Sequence, residues 1–349
     1  MAPIKSNCRV ALALVIALAA QASLAPIALA AEPSFKGKTV TILVGTTPGG
    51  GYDAYARMLA RFMPKHLPGS SVIVKNLPGG GGLKLATYLY NAAPNDGSEI
   101  GLTEYGLPFM PLFYGTPVQF HVLKFNWLGS IDAFVTPMVL AWHATPFQSF
   151  ADVQRMPMTV GANGVTSFTA GYPYALNGIL GAKFNVILGY GGATEVTLAM
   201  ERREVDGIVS WCWKCMKNQR PDWIAERKAR VLLQLGTKGD PELDAKGVPT
   251  VMQVAKTEEQ RLLLRTVFGG LGMAKSFMAP PDVPPETVAV LRKAFEATAK
   301  DPEMIAMGEK TGYDVTYVPP EDVMAILRQA YALEPGLVEK LRAAITGKR

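Results

Sequence analysis

Cysteine is nearly missing from this chain, with three among 349 residues. Only Cys212 and Cys215 follow the first thirty positions, so no disulfide framework holds the fold together. A zinc site is excluded as well, because no second Cys/His pair stands near them. Histidine is as scarce: His66, His121 and His143 are dispersed, and none joins an acid and a nucleophile in a recognisable pattern. No Gly-x-Ser-x-Gly elbow occurs, and nothing indicates paired carboxylates for hydrolysis. Charged residues make up 18% of the chain, below the usual share. The net charge is +6, but it is scattered, with no long Lys/Arg block, and does not read as a nucleic-acid footprint. No low-complexity linker appears. After residue 30 no segment has the length and apolarity to span a bilayer.

The long apolar run that is present lies at the N-terminus. Lys5 and Arg9 precede an unbroken apolar stretch, Val10 to Ala20, and Ala28-Leu29-Ala30 places small residues where a signal peptidase reads. We expect residues 1–30 to be a cleaved secretory signal peptide, too short for a spanning helix. Cleavage lowers the net charge by two and removes Cys8. The product is expected to be soluble in an oxidising, extracytoplasmic compartment.

Two segments share a local plan. "TVTILVGTTPGGG" precedes a helical pattern from Tyr52, and "SSVIVKNLPGGGG" precedes another from Leu83. Ala54, Met58, Leu59 and Phe62 keep helical spacing, as do Leu83, Ala86, Leu89 and Tyr90. Strand, loop and helix in alternation imply parallel pairing in an α/β fold. Further strands are expected at "EIGLTEYG", "TPMVLAWH", "MTVGANG", "NVILGY", "VDGIVSW" and "RVLLQLG". Their continuous apolar runs suit sheets covered on both faces. Helices are expected from Phe150, over residues 169–180, 193–203 and 221–230, and in two proline-led C-terminal segments. Pro284 and Pro285 suit the first turn of one of these. Val288, Leu291, Phe295 and Thr298 line its inner face, and Val323, Leu327, Ala330 and Tyr331 that of the other.

The first glycine loop carries the main functional signal. Gly49-x-Gly51-x-x-Ala54 formally fits a dinucleotide fingerprint, but Thr46, Thr47 and Pro48 intervene after the strand. The next strand ends in Lys75 and Asn76, where a ribose-binding acid would stand. A phosphate loop fails too, because Gly51-Tyr52 replaces Lys-Ser/Thr. What remains is a helix start near Tyr52 with unpaired N–H groups, a positive dipole end and glycines that bare the backbone to an anion. A tight turn with positive φ is the plainer role of one such loop. Two loops at the same end of a parallel sheet favour a ligand crevice. Asn163, Gly164, Thr166 and Ser167 form a third candidate loop, which either holds an anion or caps a helix. Asp53 either caps its own helix or accepts from a ligand. "WCWKC" resembles a thioredoxin motif at Cys212 and Cys215. Lys214 departs from that motif, and the alternatives are a local disulfide or two unpaired thiols.

Six motifs in order, "GKTVTILVGTTPGGGYDAYARMLARFM", "VIVKNLPGGGG", "AAPNDGSEIGL", "YGGATEVTLAMERREVDGIV", "GVPTVMQ" and "MAPPDVPPETVAVLRKAFE", resemble the substrate-binding proteins of tripartite tricarboxylate transporters, the Bug receptors. The resemblance covers nearly the whole chain after the leader. It implies a type II periplasmic binding protein: two α/β lobes joined by two crossing strands, near residues 133–138 and 268–273. One lobe comprises residues 31–136 plus 270–349 and the other 137–269. It further implies a carboxylate held by backbone N–H groups and water at Thr47, Gly49, Gly50, Gly51, Tyr52 and Asp53, and at Asn163, Gly164, Thr166 and Ser167. Tyr190, Gly192 and Ala193 match a cleft-facing segment. The chain departs from the family at Thr47, at Leu77 (where an arginine is usual), in the loop Ala162 to Ser167, and at Trp211 with its two cysteines. Tyr52, Tyr105, Tyr190 and Trp211 either line an aromatic cleft or pack in the core.

The expectation is a non-enzymatic periplasmic receptor without cofactor or metal. It takes a di- or tricarboxylate or an aromatic acid, acts as a monomer, binds no nucleic acid and serves a tripartite tricarboxylate-type permease. A membrane sensor is a further candidate partner. The rival readings are a dinucleotide-dependent enzyme and a periplasmic thiol-disulfide oxidoreductase using Cys212 and Cys215.

Overall fold

The computed structural model describes residues 34–347 apart from Thr116, residues 133–135, residues 163–166 and Gly191. The expected signal peptide, with Cys8, lies outside the described residues.

The chain begins with β1 (Thr39–Val44), α1 (Gly51–His66), β2 (Ser71–Asn76), α2 (Leu83–Asn91), β3 (Glu99–Leu102), α3 (Met110–Tyr114) and β4 (Asn126–Ser130). It continues through β5 (Pro137–Trp142), α4 (Phe150–Arg155), β6 (Met158–Ala162), α5 (Phe168–Leu180), β7 (Phe184–Leu188), α6 (Ala193–Glu201) and β8 (Gly207–Cys212). Next come α7 (Trp213–Gln219), α8 (Pro221–Ala225), β9 (Ala229–Gln234), α9 (Pro241–Asp244), α10 (Val251–Val254) and α11 (Glu258–Gly269). The last elements are β10 (Ser276–Ala279), α12 (Pro285–Ala299), α13 (Pro302–Thr311), α14 (Pro320–Tyr331) and α15 (Pro335–Thr346).

Two five-stranded sheets result, in the orders β2-β1-β3-β10-β4 and β7-β6-β8-β5-β9. In the first, β1 runs parallel to β2 and β3, while β10 lies antiparallel between β3 and β4. In the second, β6 is parallel to β7 and β8, and β5 is antiparallel to β8 and β9. Central β1 is buried on both faces after its first residue, whereas edge strand β2 alternates exposed and half-buried. Helices therefore cover both faces at the middle of the sheet and leave its rim to solvent. Parallel pairing of β1, β2 and β3 puts the loops after all three strands at one edge, which is where the crevice of such a sheet forms. These two α/β lobes are the architecture expected from the sequence.

Differences are local. Strands β4 and β10 were not anticipated, because "NWLGS" and "SFMA" are short and poor in β-branched residues. The crossing strand expected at residues 268–273 is instead the end of α11 and a 3-10 turn, Gly270–Met273. Leu263, Leu264, Val267, Phe268 and Leu271 are all buried, so helical burial runs on into the turn. A Cβ on Gly270 would stand 2.8 Å from the Phe109 ring, so the glycine lets this turn nest against the first lobe. The helix expected over 221–230 stops at Ala225, and Arg227 takes a positive φ of 54° before β9. Helix α15 lies on α5 through small residues: a Cβ on Gly178 would meet Ala344 Cβ at 2.7 Å. Among the described residues no helix is long and apolar enough to cross a membrane.

Candidate functional site

The first glycine loop leaves β1 at Gly45 and enters α1 at Gly51. Its glycines divide into two kinds. A Cβ on Gly45 would stand 3.1 Å from the Gly82 Cα, so Gly45 packs this loop on the second glycine loop. Around Gly49, Gly50 and Gly51 a Cβ would meet nothing within 4 Å, and all three are exposed, as is Thr47. Gly49 has φ 87°, which explains glycine there. Gly50 is the N-cap with an ordinary extended backbone, φ −84° and ψ 172°, and supplies no capping side chain. The amides of Gly50, Gly51, Tyr52 and Asp53 find no partner among the described residues. The Oγ1 of Thr46, buried beside this loop, also has none.

The Asp53 side chain is engaged within the protein. Its carboxylate accepts from the Gly49 amide at 2.9 Å, from Arg57 Nε at 2.8 Å and from Asn76 Nδ2 at 2.9 Å. Asn76 also donates to the Thr46 carbonyl at 3.0 Å. The Arg57 guanidinium above all holds the Asp53 carboxyl down at about 2, although burial pulls the other way. One expected ligand group is thereby corrected: the Gly49 amide is used internally, whereas of Asp53 only the carboxylate is engaged and its amide stays unpaired among the described residues. The second glycine loop is likewise structural: Gly82 has φ 92°, and a Cβ there would press on Thr103 at 3.3 Å.

An aromatic wall stands next to the α1 end. The Tyr105 amide donates to the Tyr52 hydroxyl at 3.0 Å, and the Tyr105 and Tyr172 hydroxyls are 3.2 Å apart. The Tyr105 ring stacks on Phe168. Tyr52, Tyr105 and Phe168 are all half-buried. Burial drives the Tyr52 phenol well up and Tyr105 to about 12, so both stay neutral donors and acceptors. Lys275 lies beneath, its Nζ 4.4 Å from the centre of the Tyr52 ring and 3.6 Å from Asp132. Phe168, Tyr172 and Lys275 were not anticipated. The sequence signal for Phe168 was its place directly after Ser167, one residue before the helix expected over residues 169–180; the structure starts that helix at Phe168 itself.

Ser167 is the N-cap residue of α5, and its Oγ lies 2.7 Å from Thr169 Oγ1. Asn163, Gly164 and Thr166 lie outside the described residues. Tyr190 is half-buried, donating its amide to the Ala162 carbonyl at 3.2 Å. Gly192 caps α6, and Ala193 opens it.

Trp211 is a correction. It is 5% exposed and packs with Met138, Trp213 and Trp223. Simple alternation along β8 would put Trp211 on the face of Val209. Val209 pairs with Val139, yet Trp211 pairs with Met138, the register slipping by one residue between them. The unpaired Ser210, at φ 79°, makes a bulge that turns Trp211 into the cluster of Leu140 and Ile208. Cys212 and Cys215 form a disulfide, and the Cys215 amide donates to Cys212 Sγ at the start of α7. The bridge closes one helical turn, and nothing around it reproduces a thioredoxin fold. A separate cavity of about 830 Å³ opens between α11 and α14, lined by Thr136, Lys238, Arg265 and Asp322 among others. None of its lining residues belongs to the glycine loop. No cluster of metal-binding side chains occurs among the described residues.

No protein-family model matches the chain. A UPF0065 protein from the tcbD–tcbE intergenic region of Pseudomonas sp. strain P51 is 28% identical over 230 residues, 64% of this chain and 65% of that relative. Among solved structures, a ligand-free TctC solute-binding protein from Polaromonas superposes with a TM-score of 0.66 at 20% identity, over 86% of this chain and 98% of its own. The chain has the fold of the TctC and Bug solute-binding proteins. The periplasmic binding protein BugD aligns over 88% of this chain and 97% of its own, with a TM-score of 0.55 and 21% identity. MatC from Rhodopseudomonas palustris, solved with bound malate, gives 0.56 at 18% identity over 88% and 98%.

Proposed function

We propose that this chain is a non-enzymatic periplasmic receptor that binds a small organic carboxylate and hands it unchanged to a tripartite tricarboxylate-type membrane permease. The observation that carries this reading is the open end of α1. There Gly50, Gly51, Tyr52 and Asp53 present unpaired amides behind glycines with empty space before them. An anion seated there meets several N–H groups and the positive end of the α1 dipole. The neighbouring acid, Asp53, does not repel it, since Arg57 and Asn76 already pair that carboxylate.

On this reading residues 1–30 are the leader, and the ends of α5 and α6, with Ser167, Tyr190, Gly192 and Ala193, form the opposing jaw. Closure excludes water and strengthens the polar contacts. The malate-bound neighbour supports the ligand class, and the solute-binding neighbours support the delivery role. The protein acts as a monomer and carries no cofactor.

A thermal-shift titration of the chain from residue 31 tests the reading, using mono-, di- and tricarboxylates, aromatic acids and NAD. At least one acid should raise Tm with the logarithm of its concentration. A shift with NAD and with no acid would overturn it.

A further inference from the structure

Glu104 stands two residues beyond β3, at the edge where the glycine loops meet. Its neighbours fix its surroundings. The Cα of Thr103 lies 3.7 Å from where a Gly45 Cβ would be, and the amide of Tyr105 donates to the Tyr52 hydroxyl. Glu104 thus sits between the first glycine loop and the first turn of α1.

The Glu104 side chain is half-buried, and among the described residues its carboxylate has no hydrogen-bond donor and no cation within ion-pair distance. Burial pushes its carboxyl pKa upward, and the more distant Lys275 only partly opposes this. Lys275 is engaged elsewhere, beside Asp132 and over the rings of Tyr52 and Tyr55. The buried Thr46 hydroxyl, without a partner among the described residues, follows Gly45 in the first glycine loop. A binding edge with an anion seat and also an uncompensated acceptor is not built for a bare carboxylate.

We infer that Glu104 determines specificity, and that the receptor takes a carboxylate that also carries a hydrogen-bond donor, a hydroxyl or an ammonium group, which Glu104 accepts. A half-buried carboxylate that loses water on closure without gaining a donor is costly. A ligand that supplies the donor replaces that water with a charge-assisted hydrogen bond. Sites with such unpaired polar groups discriminate strongly against analogues lacking the matching group. This inference rests on the carboxylate-receptor reading and names the chemistry of its ligand.

The test uses matched acids: succinate, L-malate and L-aspartate, which differ in a hydrogen, a hydroxyl and an ammonium group, together with benzoate and 4-hydroxybenzoate. Calorimetry is run on the wild type, Glu104→Gln and Glu104→Leu. In whichever set binds, the donor-bearing member should bind the wild type about tenfold tighter than its bare analogue. Glu104→Leu should lose that preference without losing Tm, since it removes an uncompensated charge. Glu104→Gln separates the two donors: it should retain a preference for hydroxyl and lose one for ammonium. Bare and donor-bearing acids binding the wild type equally, or an unchanged ranking in Glu104→Leu, would overturn the inference and leave the receptor reading intact. Failure of every carboxylate in the wider screen would instead remove the receptor reading itself.

Discussion

The ring of Tyr105 lies nearly flat on that of Phe168, with centroids 4.9 Å apart and planes 18° from parallel. The stack joins the loop after β3, in the first lobe, to the first turn of α5, in the second. It depends on Gly106, where a Cβ would stand 1.9 Å from the Phe168 ring. Gly106→Ala should therefore destabilise the protein by about 1–3 kcal/mol, as overpacking does. Phe168→Ala should cost a similar amount through lost stacking and burial. In the double variant the clash has no object, so the costs should fall well short of additive. Urea denaturation of the four proteins measures the coupling, and strict additivity would show that the two sites do not touch.

Gly45 and Gly50 occupy one loop and should respond oppositely to the same change. In Gly45→Ala the new methyl meets the Gly82 backbone at 3.1 Å, which cannot swing away as a side chain can. Stability should fall. In Gly50→Ala the backbone is ordinary for alanine and the space is open, so Tm should hold or rise slightly while carboxylate affinity drops. Melting curves with and without ligand distinguish the two, and an unaltered affinity in Gly50→Ala would take this amide out of the seat.

Asp53 links loop geometry to acid stability. Its carboxyl is depressed from the ordinary value of 3.8 to about 2 in the fold, first by Arg57 and then by the Gly49 amide and Asn76. A group depressed on folding contributes stability that is fully present above its unfolded pKa and is lost as pH falls towards 2. Wild-type stability should decline from pH 4 to pH 2 more steeply than that of Asp53→Asn. Parallel denaturation curves across this window would contradict the pairing.

The Cys212–Cys215 bridge closes a very short loop. The chain-entropy account limits its contribution to less than about 2 kcal/mol. Mild reduction, or the Cys212→Ser/Cys215→Ser double variant, should lower Tm slightly and leave carboxylate binding as it was. Insulin-reduction assays should show no activity lost with the cysteines. A large loss of binding on reduction would place α7 within the site.

The α/β alternation was legible in the sequence because most of the strands are short apolar runs and the helices carry regularly spaced apolar residues. β1, the glycine loop and α1 lie together, so strand, bared amides and helix start could be read from one stretch, Thr39 to Met63. Short strands such as β10 carry no such pattern, and their place is decided by the neighbours between which they fit. The return through α11 was obscured because Gly269, Gly270 and Gly272 break the helical signature, and of these Gly270 lies where close packing against Phe109 leaves no room for a side chain.

Local pattern alone determined that this chain makes an α/β fold with a helix start bared by glycines, since periodicity and glycines act over a few residues; its division into two lobes was implied by the family resemblance. Which side chains face that start was decided only in three dimensions. Asp53 turned inward because Arg57 and Asn76 reach it, Trp211 crossed its sheet because Ser210 bulges, and Glu104 gained its position because the loop after β3 folds against both Gly45 and Tyr52. The Asp53–Arg57 pair is an i,i+4 contact that spacing could suggest, but the reach of Asn76, the slipped pairing of β8 with β5 and the packing of the loop after β3 join segments far apart in sequence, which local pattern does not encode.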